Sequence, residues 1–366
     1  MLLKDYIPNV KKELRNIFFS GIAFESSKVK KNNIFFAIKG NNFDGNKYIN
    51  EAIKRGAKVI VSEKKIRLKK EIISVSSKNI RKLLSEISFK IYNKIPKNLI
   101  AITGTNGKSS VADFYYQILK LNYKKVASIG TLGVKSKGYN LHLSNTTIDP
   151  LKLGQILCKL KNKKIDNVIM EASSHGLKQN RLDGLRFSAG IFTNLSQDHL
   201  DYHKNLKNYL EAKLYLFKNL IKNNGNIITD EKISEFKKIR KIALNKKLNL
   251  NFIGNKKNNF KILSHNFQGK SQILKIKYDN SIRIIKLNLI GKIQLKNLLM
   301  AIIAAKKSKL ELKKIFESLP KIKPVEGRFQ SIGKIKNDSI VILDYAHTPE
   351  ALKTCLLNLR QQFPFK

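Results

Sequence analysis

Residues 102–110 read ITGTNGKSS, and this stretch constrains the fold more than any other. An apolar run, Leu99 to Thr103, leads into it, and an amphipathic stretch, Ser109 to Leu121, follows. Strand, glycine turn and helix in that order present backbone N–H groups at a helix N-terminus, where phosphate binds, and a lysine adds a point charge. The common phosphate loop, G-x-x-x-x-G-K-[ST], needs a glycine where Ile102 stands, and the nearest upstream glycine is Gly104. Taken alone, the stretch is either a nucleotide site of a different shape or a structural turn that holds a lysine.

The surroundings favour a parallel sheet. Strand candidates Lys125 to Ile129, Asn167 to Glu171 and Ala189 to Thr193 alternate with helix candidates Leu151 to Lys161 and Leu206 to Leu220. That alternation argues for an α/β fold with crossover connections. Upstream, residues 1–97 read as a first domain. Short buried strands at Asn33 to Ile38 and Lys58 to Ser62 flank a helical stretch, Tyr48 to Arg55, that Gly56 ends, and Pro96 marks the boundary. A central domain covers 98–323; it includes a strand-rich stretch, 226–290, and a helix, Ile293 to Lys307. After Pro320 and Pro324 a third unit, 324–366, offers one strand, Ser339 to Asp344, and one helix, Pro349 to Leu359. One strand and one helix cannot bury a core of their own, so this segment is expected to be an incomplete domain and a mobile or sticky tail.

Charge narrows the classes less than it first suggests. The 366 residues hold 72 Lys and Arg against 26 Asp and Glu, a net charge of +46. A nucleic-acid partner is one reading of that surplus. However, the lysines run through every segment in company with Asn and Ile, and arginine, which reads base edges, is scarce beside them. Codon bias accounts for this better, and no specific nucleic-acid binding is expected. No apolar run approaches the ~18 residues of a membrane span, and the first residues carry no secretory signal. Cys158 and Cys355 lack metal-like spacing, so a reduced, cytoplasmic setting is expected.

Three further stretches bear on the loop. Glu171 ends an apolar strand in VIMEASSH, where a carboxylate can hold Mg²⁺ near phosphates or merely face solvent. Asp198, His199, Asp201 and His203 cluster just past another strand end at Thr193 and Asn194, and neutral imidazole is a good metal ligand. Lys213 lies in LEAKLYLF on an apolar helix side, where a lysine commonly snorkels.

Together these pieces resemble the Mur ligases, ATP-dependent amino-acid ligases of peptidoglycan synthesis, whose loop is TGTNGK[ST] without the early glycine. EASSHGLKQNRL at 171–182, TNLSQDHLDYH at 193–203 and DYAHTPEAL at 344–352 are similar to the MurE type, which adds the third peptide residue. ESSKVKKNNIFFAIKGNNFDGNKYINEAIKRGA is similar to that type's uridine-binding domain. SSHG and DYAHTP argue against the D-Ala-D-Ala-adding and folylpolyglutamate enzymes of the same superfamily.

The resemblance implies three domains: a uridine-binding α/β domain, a P-loop ATPase-like domain with a parallel sheet, and a Rossmann-like C-terminal domain that is mostly absent here. It implies that Gly104, Thr105, Asn106, Gly107, Lys108, Ser109 and Ser110 cradle ATP, with Gln294, Arg328 and Asp344 as further nucleotide contacts. Two Mg²⁺ ions are implied, with Ser109, Glu171, His199 and a carbamylated Lys213 as ligands, and Lys108, Lys213 and His199 as catalytic groups. Ser26, Asn145, Thr146, Thr147, Ser173, Gln179 and Arg181 match residues that hold the UDP-sugar peptide. The implied reaction joins meso-diaminopimelate or L-lysine to UDP-N-acetylmuramoyl-L-alanyl-D-glutamate through an acyl phosphate, in a monomer without membrane insertion. Gln294 departs from the family's usual asparagine, Ile148 stands where proline is common, and the glycine-rich and amino-acid-reading segments of the third domain are not found. A weakly active fragment that binds UDP-sugar and ATP is therefore the alternative to a full ligase.

Overall fold

The computed structural model describes residues 1–8, 10–40, 43–69, 71–253, 260–278, 281–335 and 339–364, so part of the strand-rich stretch, at 254–259 and 279–280, lies outside the described residues. The chain forms two units. The first comprises Met1–Ile95 with Asp149–Cys158 and Gln179–Leu185; the second comprises Pro96–Ile148, Lys159–Lys178 and Arg186–Lys366.

The first unit is built on a four-stranded parallel sheet in the order β1 (Gly21–Ala23), β2 (Asn33–Phe36), β3 (Ala57–Ser62), β4 (Ile73–Ser76). Its helices are α1 (Leu3–Tyr6), α2 (Ile49–Lys54) and α3 (Ile80–Ile91). The continuous apolar runs NIFF and VIV follow from burial on both faces. Ile34, Phe36, Val59 and Val61 pack with Leu83, Leu84 and Ile87 of α3, while Phe35 and Ile60 pack with Ile49 and Ala52 of α2. Asn79 caps α3 by accepting from the Lys82 amide at 3.0 Å.

The second unit holds a seven-stranded sheet with strand order β11-β10-β9-β5-β8-β6-β7. The strands are β5 (Asn98–Thr103), β6 (Val126–Gly130), β7 (Gly133–Ser136), β8 (Asn167–Glu171), β9 (Phe187–Phe192), β10 (Ile221–Asp230) and β11 (Asn249–Ile253). Every pair is parallel except β6–β7. The crossovers use α4 (Lys108–Leu121), α6 (Ser174–Lys178), α7 (Leu200–His203), α8 (Leu206–Tyr215) and α9 (Phe236–Asn245), while α5 (Pro150–Asn162), between β7 and β8 in sequence, belongs for the most part to the first unit. The C-terminal ends of β5, β8 and β9, where ligands of such sheets collect, carry Thr103, Glu171 and Phe192.

The core of this unit runs between the sheet and α10 (Lys292–Lys307), whose apolar side, from Leu295 through Ala305, packs on Val111, Tyr115 and Ile118 of α4. A three-stranded antiparallel sheet, β12 (Phe260–Gln268), β13 (Ser271–Tyr278) and β14 (Ser281–Leu287), covers the same core from outside, with α11 (Leu312–Ser318) beside it.

The segment expected as a third domain forms a hairpin, β15 (Gln330–Ile335) and β16 (Ser339–Leu343), followed by α12 (Pro349–Gln362), and it joins the second unit. Cys355, Leu359 and Phe363 pack with Ile290, Ile293 and Phe329. Gln362 accepts from the Gly291 amide at 2.7 Å and donates to the Gly269 carbonyl at 2.8 Å. Leu352, Leu356 and Leu357 of α12 remain exposed.

Candidate active site

The loop 104–107 closes over the end of β5 and delivers the chain into α4. Ile102 belongs to β5 and is fully buried, so an early glycine is not needed there. Gly107 has φ +88°, and a Cβ on it would come within 2.6 Å of Asn297 Oδ1, so only glycine turns the chain at this point. The loop is tied to the segment after β9. The Thr105 amide donates to the Asn194 carbonyl at 3.0 Å, the Asn106 amide to Asn194 Oδ1 at 2.9 Å, and Thr193 Oγ1 to the Asn106 carbonyl at 2.6 Å.

Lys108 folds back over this loop. Its Nζ donates to the Gly104 carbonyl at 3.0 Å and to the Thr105 carbonyl at 2.7 Å. Burial lowers its pKa, and the Glu171 and Asp198 charges act against that. Ser109 Oγ donates to Glu171 Oε1 at 3.0 Å, and the same carboxylate accepts from the Thr131 amide at 3.0 Å and Thr131 Oγ1 at 3.2 Å. Glu171 is buried, not solvent-facing, and its carboxylate lies against Gly130, where a Cβ would collide with it.

Lys213 does not snorkel. It is 1% exposed, and its Nζ donates to the Gly104 carbonyl at 2.7 Å, 4.2 Å from the centroid of the Tyr209 ring. Burial, reinforced by the charge of Lys108, holds its pKa well below the ordinary lysine value; Asp198 opposes this. Beyond Lys213 the helix widens into a π-helical turn over Leu216–Leu220, a distortion common at functional sites.

His199 has φ +52°, a conformation that only a fixed local environment maintains in a non-glycine residue. Its amide donates to Asp198 Oδ1 at 2.8 Å, and its ring meets His175 edge-on at 4.8 Å. The side chain is still exposed, and partial desolvation lowers its pKa against the raising effect of Asp198. His203 lies on α7, its Nε2 3.0 Å from Ser174 Oγ, with a pKa pushed down to about 4 by burial first and then by His175.

Lys108, Ser109, Glu171, Asp198 and His199 line a cleft of about 670 Å³, whereas Gly104, His203 and Lys213 are not among its lining residues. Thr105 to Ser110, Thr146, Glu171, His199, Gln294, Arg328 and Asp344, all expected site residues, open onto it, and Thr131, Asn194, Ser196, Asp230, Lys296 and Asn297 join them. Ser196 Oγ is buried there without a hydrogen-bond partner among the described residues. Gln294 is turned inward: its Oε1 accepts from Asn297 Nδ2 at 3.3 Å and its Nε2 donates to the Arg328 carbonyl at 3.4 Å. The Arg328 guanidinium stacks over Tyr345 at 4.3 Å, and Asp344 Oδ2 accepts from the Phe329 amide at 2.9 Å.

The expected UDP-sugar contacts divide between the two units. In the second, Thr146 Oγ1 bonds Thr131 Oγ1 at 3.0 Å, Thr147 Oγ1 donates to the Glu171 carbonyl at 3.0 Å and accepts from the Ser173 amide at 2.9 Å, and Asn145 is exposed. In the first, Ser26 Oγ donates to Glu51 Oε2 at 2.9 Å, and Gln179 Oε1 accepts from both Nε and Nη2 of Arg181, at 3.1 and 2.7 Å. Among the described residues no three His, Cys, Asp or Glu side chains converge as a metal cage. Glu171 and His199 both line the cleft. Thr131 and Tyr209 were not singled out from the sequence, and Asn194 entered only as a strand end. The Gly-Thr pair at the end of β6, Gly130-Thr131, is the one signal that could have pointed to Thr131.

A glycine-turned loop with a half-buried lysine folded over it, a hydroxyl bonded to a strand-end carboxylate, and a parallel sheet beneath them define a P-loop-type nucleotide site. The model of the Mur ligase middle domain matches residues 102–305, and that of the Mur ligase family catalytic domain matches 19–98. A UDP-N-acetylmuramoyl-L-alanyl-D-glutamate–2,6-diaminopimelate ligase of Rickettsia montanensis is 36% identical over 96% of this chain and 73% of its own length. The same-named protein of Chelativorans sp. (strain BNC1) is 34% identical over 93% of this chain and 71% of its own. A solved structure of a ligase with that name superposes with a TM-score of 0.83 at 25% identity, over 99% of this chain and 74% of the other. The Thermotoga maritima MurF ligase, solved with ADP, shares the fold at a TM-score of 0.64 and 20% identity, over 93% of this chain and 74% of its own. The chain belongs to the Mur ligase family. Members of this family are ATP-dependent ligases.

Proposed function

We propose that the chain is an ATP-dependent ligase of peptidoglycan synthesis that joins 2,6-diaminopimelate to UDP-N-acetylmuramoyl-L-alanyl-D-glutamate. The observation that carries this reading is the Ser109–Glu171 hydrogen bond at 3.0 Å beside Lys108 and the buried Lys213, which share one carbonyl. The printed names of the relatives, which specify 2,6-diaminopimelate, favour it over L-lysine.

In this reading the amides and glycines of 104–107 hold the ATP phosphates, and Lys108 turns from its two carbonyls to the phosphate oxygens. Ser109, Glu171, His199 and a carbamylated Lys213 would hold two Mg²⁺ ions. The donor set fits a hard, oxygen-seeking cation, and the unpartnered Ser196 Oγ leaves one more group to meet a ligand or its water. Bound Mg²⁺ would supply charge neutralisation for phosphoryl transfer. Lys108 offsets the repulsion as the D-glutamyl carboxylate of the dipeptide approaches the γ-phosphate. An acyl phosphate and ADP form, and the diaminopimelate amine then displaces phosphate. Gln294, Arg328 and Asp344 bind the nucleotide, and Ser26, Asn145, Thr146, Thr147, Ser173, Gln179 and Arg181 hold the UDP-sugar peptide. The enzyme acts as a cytoplasmic monomer; no helix among the described residues is long and apolar enough to cross a membrane.

The test is phosphate release from ATP with UDP-dipeptide, with diaminopimelate or L-lysine added separately. Release should require the dipeptide and diaminopimelate together and fall roughly a hundredfold or more in Glu171→Gln. Equal release with Glu171→Gln, or release without the dipeptide, would overturn the reading.

A further inference from the structure

The sheet β12–β14 has one face in the core and one in solvent. Leu274, Ile276, Ile285 and Leu287 are buried beneath it. Pairing register arranges the alternate residues of the outer face in cross-strand rows: Lys261, Lys277 and Ile282; Ser264, Lys275 and Ile284; Asn266, Ile273 and Lys286. Ile284 and Ile282 are 72% and 52% exposed, and Lys261, Lys275, Lys277 and Lys286 are exposed beside them. None of the described residues of these three strands is acidic. Large aliphatics on the outside of an edge strand are a liability unless something covers them. Here they are interleaved with four lysines and no acidic residue of the described strands, which disfavours a basic partner.

We propose that this face docks on an anionic phospholipid surface, with Ile282 and Ile284 entering the headgroup boundary and the four lysines meeting the lipid phosphates. Aliphatic side chains beside basic ones are the chemistry of interfacial membrane binding. A nucleic acid fits less well, because bases stack on aromatic or guanidinium planes and the three rows offer neither; the exposed Arg283 of β14 pairs with the buried Ile276 and so belongs to the opposite face. The docking is peripheral and independent of the ligase reading, since the face lies outside the cleft residues.

The experiment is sedimentation of the full chain with vesicles of phosphatidylglycerol and phosphatidylcholine in equal parts, against phosphatidylcholine alone, at physiological salt. Each lysine near an anionic surface is worth about fivefold in partitioning. Lys275→Gln with Lys277→Gln should therefore lower binding at least about tenfold. Ile282→Thr with Ile284→Thr, which keeps β-branching and charge, should lower it several-fold. Lys237→Gln with Lys241→Gln, the same charge change on the exposed side of α9, should change it less than about twofold. All the altered side chains are solvent-exposed, and circular-dichroism melts check that each variant folds. No binding to the anionic vesicles, equal loss in the α9 pair, or an unchanged isoleucine pair would overturn the proposal. In the last two cases the binding would come from diffuse charge alone.

Discussion

Lys108 and Lys213 donate to the same oxygen, the carbonyl of Gly104, at 3.0 and 2.7 Å. Two ammonium groups cannot both stay charged at such a site without cost, and burial lowers the pKa of each, Lys213 most strongly. The arrangement suits a site whose positive charge is meant to meet an anion, and it strains the ligand-free protein.

The first prediction follows from that strain. Lys108→Met removes one of the two charges and keeps the volume. It should leave the melting temperature of the ligand-free protein unchanged or raise it by a few degrees, the shift expected for about 1 kcal/mol. ADP production should be lost at the same time. Scanning calorimetry without nucleotide checks the first part, and a drop of several degrees would show that Lys108 is a structural tie.

The second concerns the chemistry of Lys213. Burial lowers the Lys213 pKa and so favours its uncharged, nucleophilic form, and a carbamate on it would replace a disfavoured cation with a metal-binding anion. Lys213→Ala should lower turnover roughly a hundredfold or more, and added short carboxylates should restore part of it. A small loss with no rescue would leave Lys213 as a packing residue. Carbon-13 bicarbonate should also give the wild-type protein, and not the variant, a carbamate resonance.

Much of this site was legible in the sequence because local order carries it. Strand, TGTNGKS turn and helix are contiguous, and Glu171 ends an apolar run that reads as a strand in its own right. The antiparallel strand β7 and the individual strands β12–β14 were not legible, because their pairing depends on non-local register. Lys213 was ambiguous for a different reason: an apolar helix side fits either a snorkelling or a buried lysine, and only packing against Tyr209 and Gly104 decides between them. The docking of α12 on Ile290 and Phe329 was likewise invisible, since the partners lie far apart in sequence.

The third prediction addresses Gln294. Its amide makes two long hydrogen bonds within the protein, at 3.3 and 3.4 Å, weak enough for a bound base to take over. If it contacts the base in ground and transition states alike, Gln294→Ala should raise the KM for ATP several-fold with kcat nearly unchanged. A fall in kcat at constant KM would place Gln294 instead in the reacting constellation. An unchanged KM would remove it from the nucleotide site.

The last prediction concerns acid stability. His203 is buried beside Ser174 and faces His175, and its folded pKa is pushed down to about 4 from an ordinary value near 6.5. A histidine with a depressed folded pKa takes up its proton more readily in the unfolded chain. Its contribution is therefore complete above pH 6.5, declines as pH falls through the interval to about 4, and is gone below that. The wild-type protein should lose stability to urea across this window. His203→Gln keeps an amide within reach of Ser174 and cannot titrate, so its stability should fall less steeply over the same interval, whatever its value at neutral pH. The comparison is of slopes, which removes the general cost of the substitution and the shared contribution of the other histidines. Parallel curves for the two proteins would mean that His203 carries its proton equally well in both states, and that Ser174 and His175 do not hold it neutral.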